Sequence, residues 1–263
     1  MKVEVMLSCM NQKDFSIIDR MKITTDVVVV NQCDHDGVKI FEKDGRRVVW
    51  CDSTERGVSK SRNMGLKYIR QEICLLADDD EIFFDDYEQK ILDAFNGKEN
   101  PDLVFFNLTT QNPKQKWYIN PCIKRIHFFN IMRYGSPRAA FKKEKANGMR
   151  FDEKFGPGMF FYSGEDSLFF MGFLKRKMRV FANPACLATI DDGDSSWFEG
   201  YTDRYFMTKG AVFERMSHLY SILLILQYIL RHQDETKGRG LLYSCKKMFE
   251  GRRMVREMDL GNK

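Results

Sequence analysis

Short apolar runs alternate with amphipathic stretches along the first 110 residues, the rhythm of strands separated by helices. Val3–Leu7 reads as a first strand, with Asn11 and Gln12 opening the loop behind it. Asp26–Val30 reads as a second, running out into Asn31-Gln32-Cys33-Asp34, and Arg47–Trp50 as a short third. Gly57 to Arg70 predicts a helix, with Ser59 or Ser61 available as a cap and Met64, Tyr68 and Ile69 on its apolar side. A strand at Ile73–Ala77, a helix near Tyr87–Phe95 with Ile91, Leu92 and Phe95 at helical spacing, and a buried strand at Leu103–Leu108 follow. Strands with helices between them imply a largely parallel, doubly wound α/β sheet. Between residues 112 and 160, Pro113, Pro121, Pro137 and Pro157 break the pattern, so hairpins or loops are expected. The character changes after Phe181, and from about Tyr205 the chain reads as mainly helical.

Chemistry concentrates where one apolar run stops. Ile73-Cys74-Leu75-Leu76-Ala77 suits a strand buried on both faces, and it ends in Asp78, Asp79, Asp80 and Glu81. In open α/β sheets ligands bind at the carboxyl ends of strands. Carboxylates crowded there repel one another unless a cation neutralises them, and hard oxygen donors suit Mg²⁺ or Mn²⁺. A solvated acidic turn is the plainer alternative. A second pair, Glu165-Asp166, follows the turn-like Ser163-Gly164 and opens a helix-like apolar run from Leu168. A metal-binding strand end with a distant Glu-Asp pair points to group transfer from a phosphorylated donor. Neither a Gly-x-Gly-x-x-Gly fingerprint nor a Walker lysine loop occurs, which disfavours dinucleotide dehydrogenases and P-loop enzymes. Gly156-Pro157-Gly158 follows no clear buried strand and reads as a turn.

Composition narrows the class. With 263 residues, 43% hydrophobic and 30% charged, the chain fits a globular protein whose 22 phenylalanines give an aromatic core. Seven scattered cysteines with no Cys-x-x-Cys pair argue against a disulfide framework or zinc site, and suit a reducing, cytoplasmic compartment. Met1-Lys2-Val3-Glu4-Val5 enters the first strand directly, without the pattern of a leader. Leu219 to Leu230 is the longest greasy stretch and falls short of the roughly 20 residues that span a bilayer. From Arg231 to the end, nine Lys/Arg stand against five Asp/Glu, so this tail carries +4 of the net +5. The nearly neutral remainder argues against a nucleic-acid footprint.

Three motifs in order resemble one family. Arg56-Gly57-Val58-Ser59-Lys60-Ser61-Arg62-Asn63-Met64-Gly65 resembles the Arg-Gly-x-Ser-x-Ser/Ala-Arg-Asn-x-Gly/Ala segment of family 2 glycosyltransferases. Asp78-Asp79-Asp80 resembles their Asp-x-Asp metal motif, and Gly164-Glu165-Asp166 their catalytic Glu-Asp motif. The resemblance covers roughly residues 2–200. It implies a GT-A fold: a mixed, mainly parallel Rossmann-like sheet flanked by helices over 1–204, with a C-terminal helical extension over 205–263. It further implies a nucleotide-sugar donor, most simply a UDP-sugar, a divalent Mn²⁺ or Mg²⁺, inversion at the anomeric carbon, and transfer of hexosyl type to a saccharide or lipid-linked acceptor. On the same resemblance, Ser8, Asn11, Gln32, Arg56, Arg62, Asn63, Asp78 and Asp79 bind the nucleotide-sugar, with Asp78 at the ribose. Asp80, helped by Asp78 or Asp79, holds the metal, and Asp191 is a candidate third ligand. Asp166 is the general base, with Glu165 beside it.

The sequence departs from the family pattern at three points. Ser8-Cys9-Met10-Asn11 replaces Pro-Thr-Tyr-Asn, removing an aromatic stack on the base. Asn31-Gln32-Cys33-Asp34 replaces Asp-Asp-Gly-Ser, although Gln32 can still hydrogen-bond a pyrimidine edge. The late histidine of many relatives has no counterpart; His127, His218 and His232 read as structural or exposed. Asp191, Asp192 and Asp194, before Ser195-Ser196-Trp197, either close the site or form a plain acidic loop.

The tail admits two readings. Phe213, Met216, Leu219, Tyr220, Leu223, Leu224 and Leu230 fall on one helical face that packs on the domain. Leu241, Leu242, Cys245, Met248 and Phe249 beside Lys246, Lys247, Arg252, Arg253 and Arg256 either continue that packing or lie peripherally on the inner face of an anionic membrane. Two other classes remain: a sugar-nucleotide nucleotidyltransferase, and a non-catalytic binding subunit of a polysaccharide-synthesis complex. The first needs a glycine-rich loop after strand one, which Cys9-Met10-Asn11-Gln12-Lys13 lacks; intact acids at 78–80 and 165–166 argue against the second.

Overall fold

The computed structural model describes residues 1–110, 118–190 and 200–260. Two compact units form, one from Met1–Phe151 with Phe169–Asp194, the other from Asp152–Leu168 with Ser195–Lys263.

The first unit is built on a single mixed sheet. Its strands are β1 (Val3–Met10), β2 (Asp26–Gln32), β3 (Gly37–Lys43), β4 (Arg46–Ser53), β5 (Ile73–Asp78), β6 (Glu81–Phe83), β7 (Leu103–Thr110), β8 (Lys124–Arg125), β9 (Ala139–Lys142) and β10 (Val180–Ile190). They lie in the order β3-β4-β2-β1-β5-β9-β7-β10-β6, with β8 pairing β10. The ladders β1/β2, β1/β5, β2/β4 and β7/β10 are parallel. The helices of this half are α1 (Ser16–Arg20), α2 (Val58–Tyr68) and α3 (Tyr87–Asn96). Val27–Val30 and Ile73–Ala77 are buried throughout, as strands covered on both faces must be. The β1/β5 register pairs Ser8 with Asp78, and the β1/β2 register pairs Met10 with Gln32, so three strands deliver polar ends to one edge.

Five strands escape the sequence reading: β3, β6, β8, β9 and β10. β3 forms an antiparallel hairpin with β4 through Asp44 (φ 51°) and Gly45 (φ 75°), both left-handed as a type I′ turn requires. Val38 and Ile40 of β3 are exposed at the sheet edge, so no buried run announces it. β9 is inserted antiparallel between β5 and β7, inside the stretch the prolines mark as loops.

α2 also corrects its sequence reading. Gly57 is its N-cap, and no side chain caps it; the Gly57 N–H instead donates to Gln32 Oε1 at 2.8 Å. Ser59 and Ser61 are buried within the helix, and its buried face comprises Ser59, Ser61, Arg62, Asn63 and Gly65. Met64 and Tyr68 are only half-buried. The apolar periodicity fails here because the inward face is polar.

In the second unit, α5 (Asp203–Met216), α6 (Ser221–Arg231), α7 (Gln233–Thr236) and α8 (Leu241–Leu260) follow one another. Thr202 caps α5, accepting from the Tyr205 N–H at 3.2 Å. α5 and α8 run antiparallel at glycine contact distance. A Cβ on Gly210 would stand 1.8 Å from the Met248 carbonyl oxygen, and one on Gly251 1.8 Å from that of Met207. Gly251→Ala should therefore force the helices apart and cost roughly 1–3 kcal/mol, the usual range for overpacking; urea unfolding would read it as a lower midpoint.

The face expected to pack from Phe213 to Leu230 is not one face. Ser217 is extended (φ −163°, ψ 115°) and breaks the helical phase after α5. α6 consequently buries Ser221, Ile225 and Ile229, while Leu219, Leu223 and Leu230 are 77%, 61% and 67% exposed.

Candidate functional site

In the first unit, the acidic run begins at the last residue of β5 and turns immediately into β6. Arg62, from the polar face of α2, is buried and places its guanidinium 2.9 Å from Asp78 Oδ1. The Phe151 ring lies 5.5 Å from the same guanidinium and shields the pair on one side. The Arg62 side chain is 4% exposed and that of Asp78 34%, so the pair is sheltered at Arg62 and open to solvent at the carboxylate.

Glu81 is the residue that sequence reasoning underrated. It is fully buried, and its Oε1 accepts the Asp78 N–H at 2.7 Å. Burial first, and the neighbouring Asp78 carboxylate second, raise its carboxyl well above the ordinary range. Glu81 ties the turn through the Asp78 N–H, beneath Asp79 and Asp80, which are exposed. Its signal in the sequence was position: two residues before Phe83, it alternates inward on β6.

The remaining predicted residues divide by what their side chains already do. Ser8 is buried, and its Oγ accepts from Ser61 Oγ at 2.9 Å. Asn11, at φ 53°, turns the chain after β1, its N–H donating to the Gln32 carbonyl at 3.1 Å. Gln32 gives its side-chain carbonyl to Gly57, as above, and so positions the start of α2. Arg56 is exposed and donates to the carbonyls of Ser53 and Thr54 at 3.2 and 2.9 Å. Asn63 makes a two-way clasp with Phe151: Nδ2 donates to its carbonyl at 3.0 Å and Oδ1 accepts its N–H at 2.8 Å.

A divalent cation fits this edge by donor chemistry. Asp79 and Asp80 are exposed carboxylates, hard oxygen donors, and Asp78 beside them pairs with Arg62. Mg²⁺ needs only one or two carboxylates when substrate phosphates and water complete its shell. Asp191, Asp192 and Asp194 lie outside the described residues.

Glu165 and Asp166 belong to the second unit, where they open α4 (Glu165–Lys175). Gly164 precedes them at φ 102°, and a Cβ there would meet Val212 Cγ2 at 2.3 Å, so only glycine makes this entry to the helix. Glu165 is buried and Asp166 half-exposed. A carboxylate in a first helical turn is favoured by the unpaired N–H groups there.

A further group of polar residues at the end of β2 was not foreseen. Cys33, Asp34 and His35 bring one potential metal-ligand atom each to within 4.8 Å of one another. Beside them, Asp52 of β4 accepts from Asn31 Nδ2 at 2.7 Å and Trp50 Nε1 at 2.9 Å.

Known proteins agree with this architecture. The structure of S. aureus TarS residues 1–349 with UDP-GlcNAc superposes with a TM-score of 0.62 at 16% identity, covering 100% of this chain and 93% of that one. Its complex with UDP gives 0.63 at 14% identity, covering 100% and 92%. A longer S. aureus TarS structure gives 0.63 at 14% identity over 98% of this chain and 55% of that one. These likenesses establish the GT-A fold. No curated protein matches the chain. The model of glycosyl transferase family 2 matches residues 7–156, more than half of the 263 residues, and the chain therefore belongs to that family of glycosyltransferases.

Proposed function

We propose that the protein is an inverting, metal-dependent glycosyltransferase of hexosyl type that moves a sugar from a UDP-sugar to a hydroxyl of a saccharide or lipid-linked saccharide. The observation that carries this reading is the Arg62–Asp78 pair set at the end of β5 beside the exposed carboxylates of Asp79 and Asp80. The uridine donor rests on the UDP and UDP-GlcNAc held by the TarS structures.

Asp78, paired with Arg62, would bind a ribose hydroxyl of the donor. Asp80, with Asp79, would hold Mn²⁺ or Mg²⁺ against the diphosphate. When bound, the cation supplies Lewis-acid neutralisation of the leaving nucleoside diphosphate. Asp166 takes the proton of the acceptor hydroxyl as its oxygen bonds to the anomeric carbon, and the carbon–oxygen bond to the diphosphate breaks on the opposite face. One base suffices for a single displacement with inversion. Glu165, buried beside it, is the second acid of the catalytic pair.

Peripheral membrane contact through the C-terminal segment has less support than its charge count suggests. Lys247 pairs with Asp203 and Glu250, Arg253 with Glu257, and Arg252 and Arg256 with Glu214. The outward apolar row on α6 is the feature that favours it.

The test is calorimetric titration of UDP in Mn²⁺ and in EDTA. Wild type should bind at least about tenfold more tightly with Mn²⁺, a difference of 1.4 kcal/mol, and Asp80→Asn should lose that difference. Equal affinity of the wild type in both buffers would refute the metal assignment.

A further inference from the structure

We propose that Cys33, Asp34 and His35 form a binding site for a borderline divalent cation of the Zn²⁺ class, built from residues other than Asp78–Asp80. The site lies in the first unit, in the loop that leaves β2.

Ligand spacing supports it. A tetrahedral Zn²⁺ with bonds of about 2.3 Å to sulfur and 2.0 Å to nitrogen or oxygen sets its sulfur and nitrogen ligands about 3.5 Å apart, and its nitrogen and oxygen ligands about 3.3 Å apart. Cys33 Sγ stands 3.6 Å from His35 Nδ1, and Asp34 Oδ1 stands 3.0 Å from the same nitrogen. All three ligand atoms fall within 4.8 Å of one another.

The surroundings have the form that metal-bound histidines need. A ligating imidazole donates its other N–H to a carboxylate, which fixes its tautomer and ring orientation. His35 Nε2 lies 3.4 Å from Asp52 Oδ2. Asp52 is itself held from behind: its Oδ1 accepts from Asn31 and Trp50, and lies 3.5 Å from Cys33 Sγ.

The donor set selects the ion. One thiolate and one imidazole suit Zn²⁺ or Co²⁺ far better than Mg²⁺, which prefers oxygen. Cys33 is buried, whereas the Asp34 and His35 side chains are 97% and 65% exposed, so the cation enters from solvent and its fourth position is left to water. On binding, the Cys33 thiol releases its proton to solvent. Occupancy would clamp the β2–β3 loop onto the end of β4 through His35 and Asp52.

Co²⁺ is the probe. The full chain, stripped with EDTA and reduced, is titrated with Co²⁺ and followed by absorption. One equivalent should produce tetrahedral visible bands and a near-ultraviolet sulfur-to-cobalt band, both bleached by one equivalent of Zn²⁺ and unaffected by excess Mg²⁺. Cys33→Ser should abolish the sulfur band, and Asp52→Asn should weaken binding about 10–100-fold, as loss of a partner behind the ligand does. Circular dichroism confirms that the variants fold. A wild type without the sulfur band overturns the proposal. So does a band that survives Cys33→Ser, because the exposed Cys122 or another thiol would then be the ligand.

Discussion

Asp166→Asn is expected to lower the rate of sugar transfer by about 10²–10⁴-fold, the contribution of a positioned general base. The amide keeps the shape of the carboxylate and its place in the first turn of α4, but it cannot accept a proton from the attacking hydroxyl. UDP affinity should be unchanged, because the variant leaves intact the Arg62–Asp78 pair and the carboxylates of Asp79 and Asp80. That split between turnover and binding separates a base from a residue that only holds the fold. Single-turnover transfer gives the chemical step, and calorimetry with UDP gives the binding. Glu165→Gln is the companion variant. If Asp166→Asn transfers at the wild-type rate while Glu165→Gln does not, the base is Glu165, and the burial of that residue becomes part of its activation.

What was legible in the sequence was whatever obeys a single rule. β2 and β5 are buried on both faces, so uninterrupted apolar runs marked them, and the acids ending β5 stood out by contrast. β3 obeys no burial rule because it lies on an edge with Val38 and Ile40 exposed; the turn residues Asp44 and Gly45 were its only announcement. β9 is four residues long and is inserted among strands distant in sequence, a pairing that no local pattern encodes. α2 was located correctly by its helix signals and turned wrongly by periodicity, since its inward face carries Ser61, Arg62 and Asn63 in place of a greasy stripe. Local rules fail at this helix because its buried residues answer to the strand ends they face.

The same holds for the residues of the candidate site. Arg62 and Asp78 were legible as motif members, but their ion pair was not, because it joins positions 16 residues apart through the fold. Gln32 and Asn63 were assigned to the nucleotide; the structure adds that Gln32 Oε1 accepts from the Gly57 N–H and that Asn63 bonds to the backbone of Phe151. Glu81 was counted as one more acid in an anionic cluster; burial raises its carboxyl well above the ordinary range. Charge state depends on depth, and depth is the quantity a linear reading of β6 supplies least. In the tail, charge counting was misleading for the same reason. Arg252 and Arg256 look like a basic surface until α5 supplies their partner.

That partner, Glu214, should account for a large part of the acid sensitivity of the second unit. Its carboxylate is buried and joins three helices: Ser221 of α6 donates to Oε2 at 2.7 Å, Arg252 of α8 approaches the same oxygen at 2.8 Å, and Arg256 and His218 reach Oε1. Burial alone would push the group up, but the bonds from His218, Ser221 and Arg256, with the charge of Arg252, bring it from 4.5 down to about 2. A folded value below the unfolded one means that the stabilisation is complete above about pH 4.5 and is lost as pH falls toward 2. At 1.36 kcal/mol per unit, the shift corresponds to a stabilisation on the order of 3 kcal/mol at neutral pH. Arg256 is 41% exposed, and solvent screening makes that figure an upper range. Glu214→Gln keeps the side chain's shape and removes its charge, leaving two arginines without a counter-ion. In urea unfolding, the variant should be weaker than wild type by up to about 3 kcal/mol at pH 7, and the two should converge as the pH approaches 2. A difference that stays constant from pH 7 to pH 2 would show that Glu214 acts through packing, and the arginines of α8 would then be available to an external partner.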